Sequence, residues 1–164
     1  MKVNYKRFAR IQLSLLITSS ALLLHCGQAF ANTNLEQDVV TLTSAQFAGR
    51  KTATQGAQLA AEFISERFIS LGYTVDEQTF AYQSGLFGKA FGRNVVATKS
   101  SHCEKCEKII FTAHYDHLGQ KGSRLYPGAN DNASGVAALL YLASYFAEKP
   151  KQYQLVFVAT DAEE

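Results

Sequence analysis

The stretch that decides the fold runs from Lys108-Ile109-Ile110-Phe111-Thr112-Ala113-His114, through Ser134 to Ala147, to Leu155-Val156-Phe157-Val158-Ala159-Thr160. The first run is rich in β-branched and aromatic residues and reads as a buried strand. Between Ser134 and Ala147, Val136, Leu139, Leu140, Ala143 and Phe146 recur at helical spacing, and Pro150 closes the helix. The third run, within 153–160, is a second buried strand. Strand, helix, strand in this order predicts a right-handed βαβ unit in a largely parallel sheet, and so an α/β fold.

Upstream, Ala60, Phe63, Ile64, Phe68 and Leu71 mark one face of a helix over 57–71, stopped by Gly72. Residues 32–56 are mixed and polar, with a loop expected around Phe47-Ala48-Gly49-Arg50. Tyr73, Val75 and Phe80 to Tyr82 predict an edge strand, and Asn94-Val95-Val96-Ala97 another. Gly85, Gly88 and Gly92 between them read as loop, because no helix follows to make a phosphate cradle.

The ends of both βαβ strands and the start of the intervening helix share one edge of the sheet, where open α/β proteins bind ligands. The acids and histidines gather there. His114, Asp116 and His117 follow the first strand, Asp131 and Asn132 precede the helix, and Asp161, Glu163 and Glu164 follow the second strand. Crowded carboxylates repel one another unless a cation is present. Imidazole and carboxylate without thiolate suits zinc or a related divalent ion in a catalytic site. Asp131 lies between the other two segments, so its two oxygens could bridge a pair of ions. Glu163 and Glu164 allow one carboxylate to ligate while its neighbour handles protons.

Composition narrows the class. The chain has 164 residues, 16 Lys+Arg against 14 Asp+Glu, 47% hydrophobic residues and two prolines. That is a packed protein and neither disordered nor collagen-like, and its charge gives no sign of nucleic acid. The positive charge is local: Lys2, Lys6, Arg7 and Arg10 lie in 1–31 without an acid, leaving 12 basic and 14 acidic residues in 32–164. Residues 1–31 read as a signal peptide. An uncharged run from Ile11 to Leu24 follows the basic stretch, and Ala29-Phe30-Ala31 supplies the small residues of a cleavage site. The run is shorter than the roughly 20 residues of a membrane span. An exported protein, periplasmic or secreted, with no stable membrane span after signal removal, is the expectation; an uncleaved anchor is the alternative. In that compartment Cys103 and Cys106 are expected to close a small loop disulfide, with a metal or redox role as the alternative.

The segments 113–119, 128–135 and 158–164 together resemble the two-zinc exopeptidase family that includes bacterial leucyl aminopeptidases, aminopeptidase Y and glutamate carboxypeptidases. The Phe47–Arg50 segment and the helix after it look like that family's N-terminal approach. The resemblance implies an α/β/α sandwich with a mixed, largely parallel sheet, and hydrolysis of peptides from a free N-terminus. By motif, His114 would ligate one zinc and Glu164 the other, with Asp131 bridging. Glu163 would be the general base for a metal-bridging water, and Asp116 the carboxylate that orients His114. His117 and Asn132 would be supporting residues. The family also suggests a cis peptide between Asp131 and Asn132. Its pattern requires an Asp and a His downstream of the Glu pair as further ligands. The resemblance therefore covers the N-terminal portion of a catalytic domain, 32–164, and the 164-residue chain alone is expected to be an inactive fragment. A one-zinc glutaminyl cyclase, a carboxypeptidase on the same scaffold and a non-catalytic binding remnant are the other readings, although Asp131-Asn132-Ala133-Ser134-Gly135 looks more like the peptidases.

Overall fold

The computed structural model describes residues 34–85, 88–99, 107–149 and 153–164. The expected signal peptide and the Cys103–Cys106 pair lie outside the described residues.

Among the described residues, three helices and six strands follow in order: α1 (Asn34–Leu42), α2 (Gln55–Ser70), β1 (Thr74–Ser84), β2 (Gly88–Thr98), β3 (Lys108–His114), β4 (Gly119–Lys121), β5 (Arg124–Tyr126), α3 (Ser134–Ala147) and β6 (Gln154–Thr160). A short 3₁₀ turn at Ala45–Arg50 links the first two helices, and an irregular turn at Ala129–Ala133 opens α3. The fold is α/β with a mixed sheet. Its strand order is β1-β2-β6-β3; β3 and β6 pair in parallel, and the other two pairings are antiparallel. The βαβ unit β3–α3–β6 thus forms between neighbouring strands, as its alternation of period predicts.

Alternation along the strands sends one set of side chains into the core. Val95, Ala97, Phe157 and Ala159 are buried with Ala60, Ala61, Ile64 and Phe68 of α2 and Val136, Leu140 and Ala143 of α3. The alanines let the helices approach the sheet closely, and Phe157 fills the centre, stacked on Phe111 at 5.2 Å and edge-on to Tyr73 at 5.5 Å. β3 is less buried than its composition predicts, with Ile110 62% exposed. It is the outer strand of the sheet, and Ile110 points to the face opposite the core.

Two local expectations change. The glycine stretch belongs to a long β1–β2 hairpin, which turns at Gly85 (φ 67°) and pairs Phe80 with Gly92. A Cβ at Gly92 would sit 2.5 Å from the Phe80 ring, which would have to turn aside to admit it. The segment read as mixed and polar contains α1. Only one side of that helix is buried, through Leu42 and Asp38, and Asp38 takes two 3.1 Å hydrogen bonds from Arg67 of α2. No helix among the described residues is long and apolar enough to cross a membrane.

Candidate metal centre

Parallel pairing of β3 with β6 sets His114 opposite Thr160, and the Tyr115 N–H donates to the Thr160 carbonyl at 2.8 Å. Both strands therefore release their chains at the same edge. The turn before α3 ends there too. Gly128 (φ 59°) opens it, and a Cβ at that position would lie 2.6 Å from the His117 ring. The Asp131–Asn132 peptide is cis. Asn132 Oδ1 accepts from the Gly135 N–H at 3.1 Å, so its side chain caps the start of α3 and holds the turn.

The three segments converge on Asp131. Its Oδ1 lies 3.2 Å from His114 Nε2, and its Oδ2 lies 3.9 Å from His117 Nδ1. Glu163 Oε2 is 3.9 Å from His114 Nε2, and Glu164 Oε1 is 3.2 Å from His117 Nδ1. One carboxylate thus stands between two imidazoles, each of which has a glutamate beside it. Ligand atoms of His117, Asp131 and Glu164 fall within 4.8 Å of one another. His117, read from the sequence as supporting, is therefore placed as close to Glu164 and Asp131 as a ligand would be, while His114 faces the other oxygen of Asp131. The donor set is two imidazoles and three carboxylates without thiolate, which fits zinc in a catalytic rather than a purely structural setting.

Asp116 is fully buried. Its Oδ1 is 3.7 Å from His114 Nδ1, beyond hydrogen-bond reach, and that ring nitrogen has no partner among the described residues. The carboxylate instead accepts the Glu163 N–H at 3.2 Å and the Glu164 N–H at 3.1 Å. Ala162, at φ 64°, turns the chain after β6 so that both amides face it. Asp116 thus anchors the glutamate pair through its backbone.

Behind Asp116 the Thr52 hydroxyl lies 3.2 Å from Asp116 Oδ2 and 2.8 Å from Asp161 Oδ1. Asp161 also accepts the Arg93 and Ala162 N–H groups, at 3.0 and 2.9 Å. It therefore faces β2 and stays out of the His–carboxylate cluster. Tyr115 donates to the Arg93 carbonyl at 2.7 Å, and burial, with Asp161 nearby, pushes its phenol well above the ordinary value. Thr52 and Arg50 were not legible as site residues. A single Thr and a single Arg in a polar segment carry no spacing signal, and apart from Leu42 their side-chain partners lie some 60 to 110 positions away in sequence.

Residues 94–164 match the sequence profile of Peptidase family M28. The alkaline phosphatase isozyme conversion protein of Escherichia coli is 30% identical over 135 residues, which are 72% of this chain and 39% of that protein. Aminopeptidase YwaD of Bacillus subtilis is 33% identical over 79 residues, 48% of this chain and 16% of that protein. Among solved structures, Fimbriiglobus ruber glutaminyl cyclase has a TM-score of 0.70 at 24% identity, covering 80% of this chain and 45% of that one. A Zn-dependent exopeptidase from Parabacteroides distasonis has a TM-score of 0.67 at 20% identity, covering 79% and 46%. These structures share the fold. The chain spans well under two thirds of the length of each of these proteins, and its likeness to Peptidase family M28 lies in residues 94–164.

Proposed function

We propose that this chain, carrying the N-terminal portion of the M28 fold, provides the catalytic face of an exported zinc aminopeptidase that removes N-terminal residues from peptides. The observation that carries the reading is the Asp131 carboxylate set between His114 and His117, with Glu163 and Glu164 alongside. Zinc, held as two ions by His114, Asp131 and Glu164 with His117 adjacent, would supply Lewis acidity toward a peptide carbonyl and toward water. Asp131 shares its two oxygens between the halves of the site. Glu163, whose side chain is 61% exposed, is free to take a proton from water and return it to the leaving amine. Asp116 keeps both glutamates in place. Residues 1–31 act as the signal peptide, and 32–164 form the N-terminal portion of the catalytic domain.

By the resemblance, an Asp and a His outside residues 1–164 complete the ligand sets, so these residues assayed alone hydrolyse no peptide. The test loads zinc into residues 1–164 and into the longest reading frame that contains them. The longer protein should cleave peptides with a free N-terminus, spare their acetylated forms, and lose turnover but not zinc in Glu163→Gln. Equal cleavage of acetylated peptides, or absence of bound zinc, would refute the reading. Export is checked by sequencing the mature N-terminus, expected at Asn32. A second reading is favoured by the fold shared with a glutaminyl cyclase. Peptides beginning with Gln separate the two: an aminopeptidase releases free Gln, whereas a cyclase releases ammonia and leaves the chain otherwise intact.

A further inference from the structure

We infer that Arg50 is the positioning residue that sets the two ligand-bearing loops at their distance from each other before any metal binds. Ala48, Gly49 and Arg50 take φ values of 46°, 69° and 51°, three successive left-handed residues. Two of them carry side chains that disfavour this conformation. The result is a guanidinium turned inward and fully buried.

That guanidinium spends its donors on backbone carbonyls of three separate segments. Nε donates to Tyr115 at 2.7 Å; Nη1 donates to Leu42 at 2.6 Å and to Pro127 at 2.7 Å; Nη2 donates to Gly128 at 2.9 Å. The Arg50 carbonyl in turn accepts the His117 N–H at 3.2 Å, and the Gly128 carbonyl also accepts the Ala133 N–H at 3.1 Å. One residue therefore grips the chain on both sides of Asp116 and at the entrance of the turn that carries Asp131. The separation of His114 and His117 from Asp131 follows from that grip.

A fully buried cation is costly to maintain. Burial draws its pKa down to about 10, while the charges of Asp116 and Asp131 act in the opposite direction. Lysine could not take over, because three donors on one ammonium cannot span carbonyls on three segments.

The inference rests on the metal reading for one of its two measurements only. In the metal-free full chain, hydrogen exchange is followed in Arg50→Lys, in the uncharged Arg50→Gln and in Phe68→Leu. The last is a control whose ring packs on Tyr73 and Phe157, away from both loops. The Tyr115, His117 and Ala133 amides should lose at least about tenfold protection in both Arg50 variants beyond any global loss seen in the control. Cobalt(II) affinity, read from its visible spectrum at a temperature where all variants are folded, should fall about 10–100-fold in both Arg50 variants and stay unchanged in the control. Arg50 variants that match Phe68→Leu in the exchange measurement overturn the inference. A wild-type chain that binds no cobalt refutes the metal reading instead, and the exchange measurement still decides the role of Arg50.

Discussion

Replacing Asp116 by Asn changes one oxygen to an amino group at constant shape, and it separates two roles for this carboxylate. The family resemblance implies that it orients His114, but the 3.7 Å gap leaves that contact unmade. The contacts that are made run to the Glu163 and Glu164 amides. An Asn side chain has one carbonyl oxygen and can serve only one of those N–H groups; its NH₂ end faces the other, donor against donor. The loss is one charge-assisted hydrogen bond plus an unsatisfied donor, about 1.5–3 kcal/mol. The Thr52 hydroxyl donates to Asp161 at 2.8 Å, so its oxygen, 3.2 Å from Asp116 Oδ2, can accept from the new NH₂ and offsets part of this loss. A net loss of about 2 kcal/mol would lower the melting midpoint of a unit this size by about 8 °C. The measurement is thermal or urea unfolding of metal-free protein, followed by cobalt titration. If Asp116 anchors the glutamates, stability falls without metal and cobalt affinity falls with it. If its work is only to orient His114, metal-free stability stays within about 2 °C of wild type and affinity alone suffers. That second outcome would refute the anchoring argument.

Other perturbations test other parts of the structure. Gly49→Ala should destabilise by about 2–4 kcal/mol in urea unfolding, because φ is 69° and the new Cβ would strike the Tyr126 carbonyl and lie 2.7 Å from that of Gly119. Zinc should raise the melting midpoint by mass action. Asp131→Asn should remove more of that rise than His117→Ala, since Asp131 faces both imidazoles. The contribution of Tyr73 to stability should decline as pH rises from about 10. Burial, helped by Glu148, raises the Tyr73 phenol to about 12, so the unfolded chain loses this proton first and is favoured across that window. Arg50 acts in the opposite sense, so the contribution of Tyr73 is read as the difference in slope between wild type and Tyr73→Phe.

The elements that could be read from the chain are those whose pattern is local. The bounds of α3 follow from its apolar stripe, and β6 from a run of β-branched and aromatic residues. α1 is a single short helix with few buried positions, too little for a period to emerge. The hairpin glycines gave no local clue, because Gly92 answers to the ring of Phe80 on the neighbouring strand. The candidate site divides in the same way. Its acids and histidines stand at the ends of predictable elements, so their convergence could be inferred from the parallel βαβ unit alone. The nearness of His117 to Glu164, the turn of Asp116 toward the glutamate amides, and the burial of Arg50 and Thr52 all depend on distances between segments remote in sequence.

The order of strand, helix and strand, the chemistry of the residues at their ends and the likeness to a zinc exopeptidase were thus determined by the sequence itself, since each is written in residue type and short-range spacing. The tertiary structure decided which oxygen of Asp131 faces which histidine, which groups Asp116 holds, and that one buried guanidinium ties the loops together. Those are matters of a few ångströms between backbone carbonyls and side chains brought together only by packing. A carbonyl carries no side-chain identity, so its role as the partner of Arg50 leaves no trace in the order of the residues.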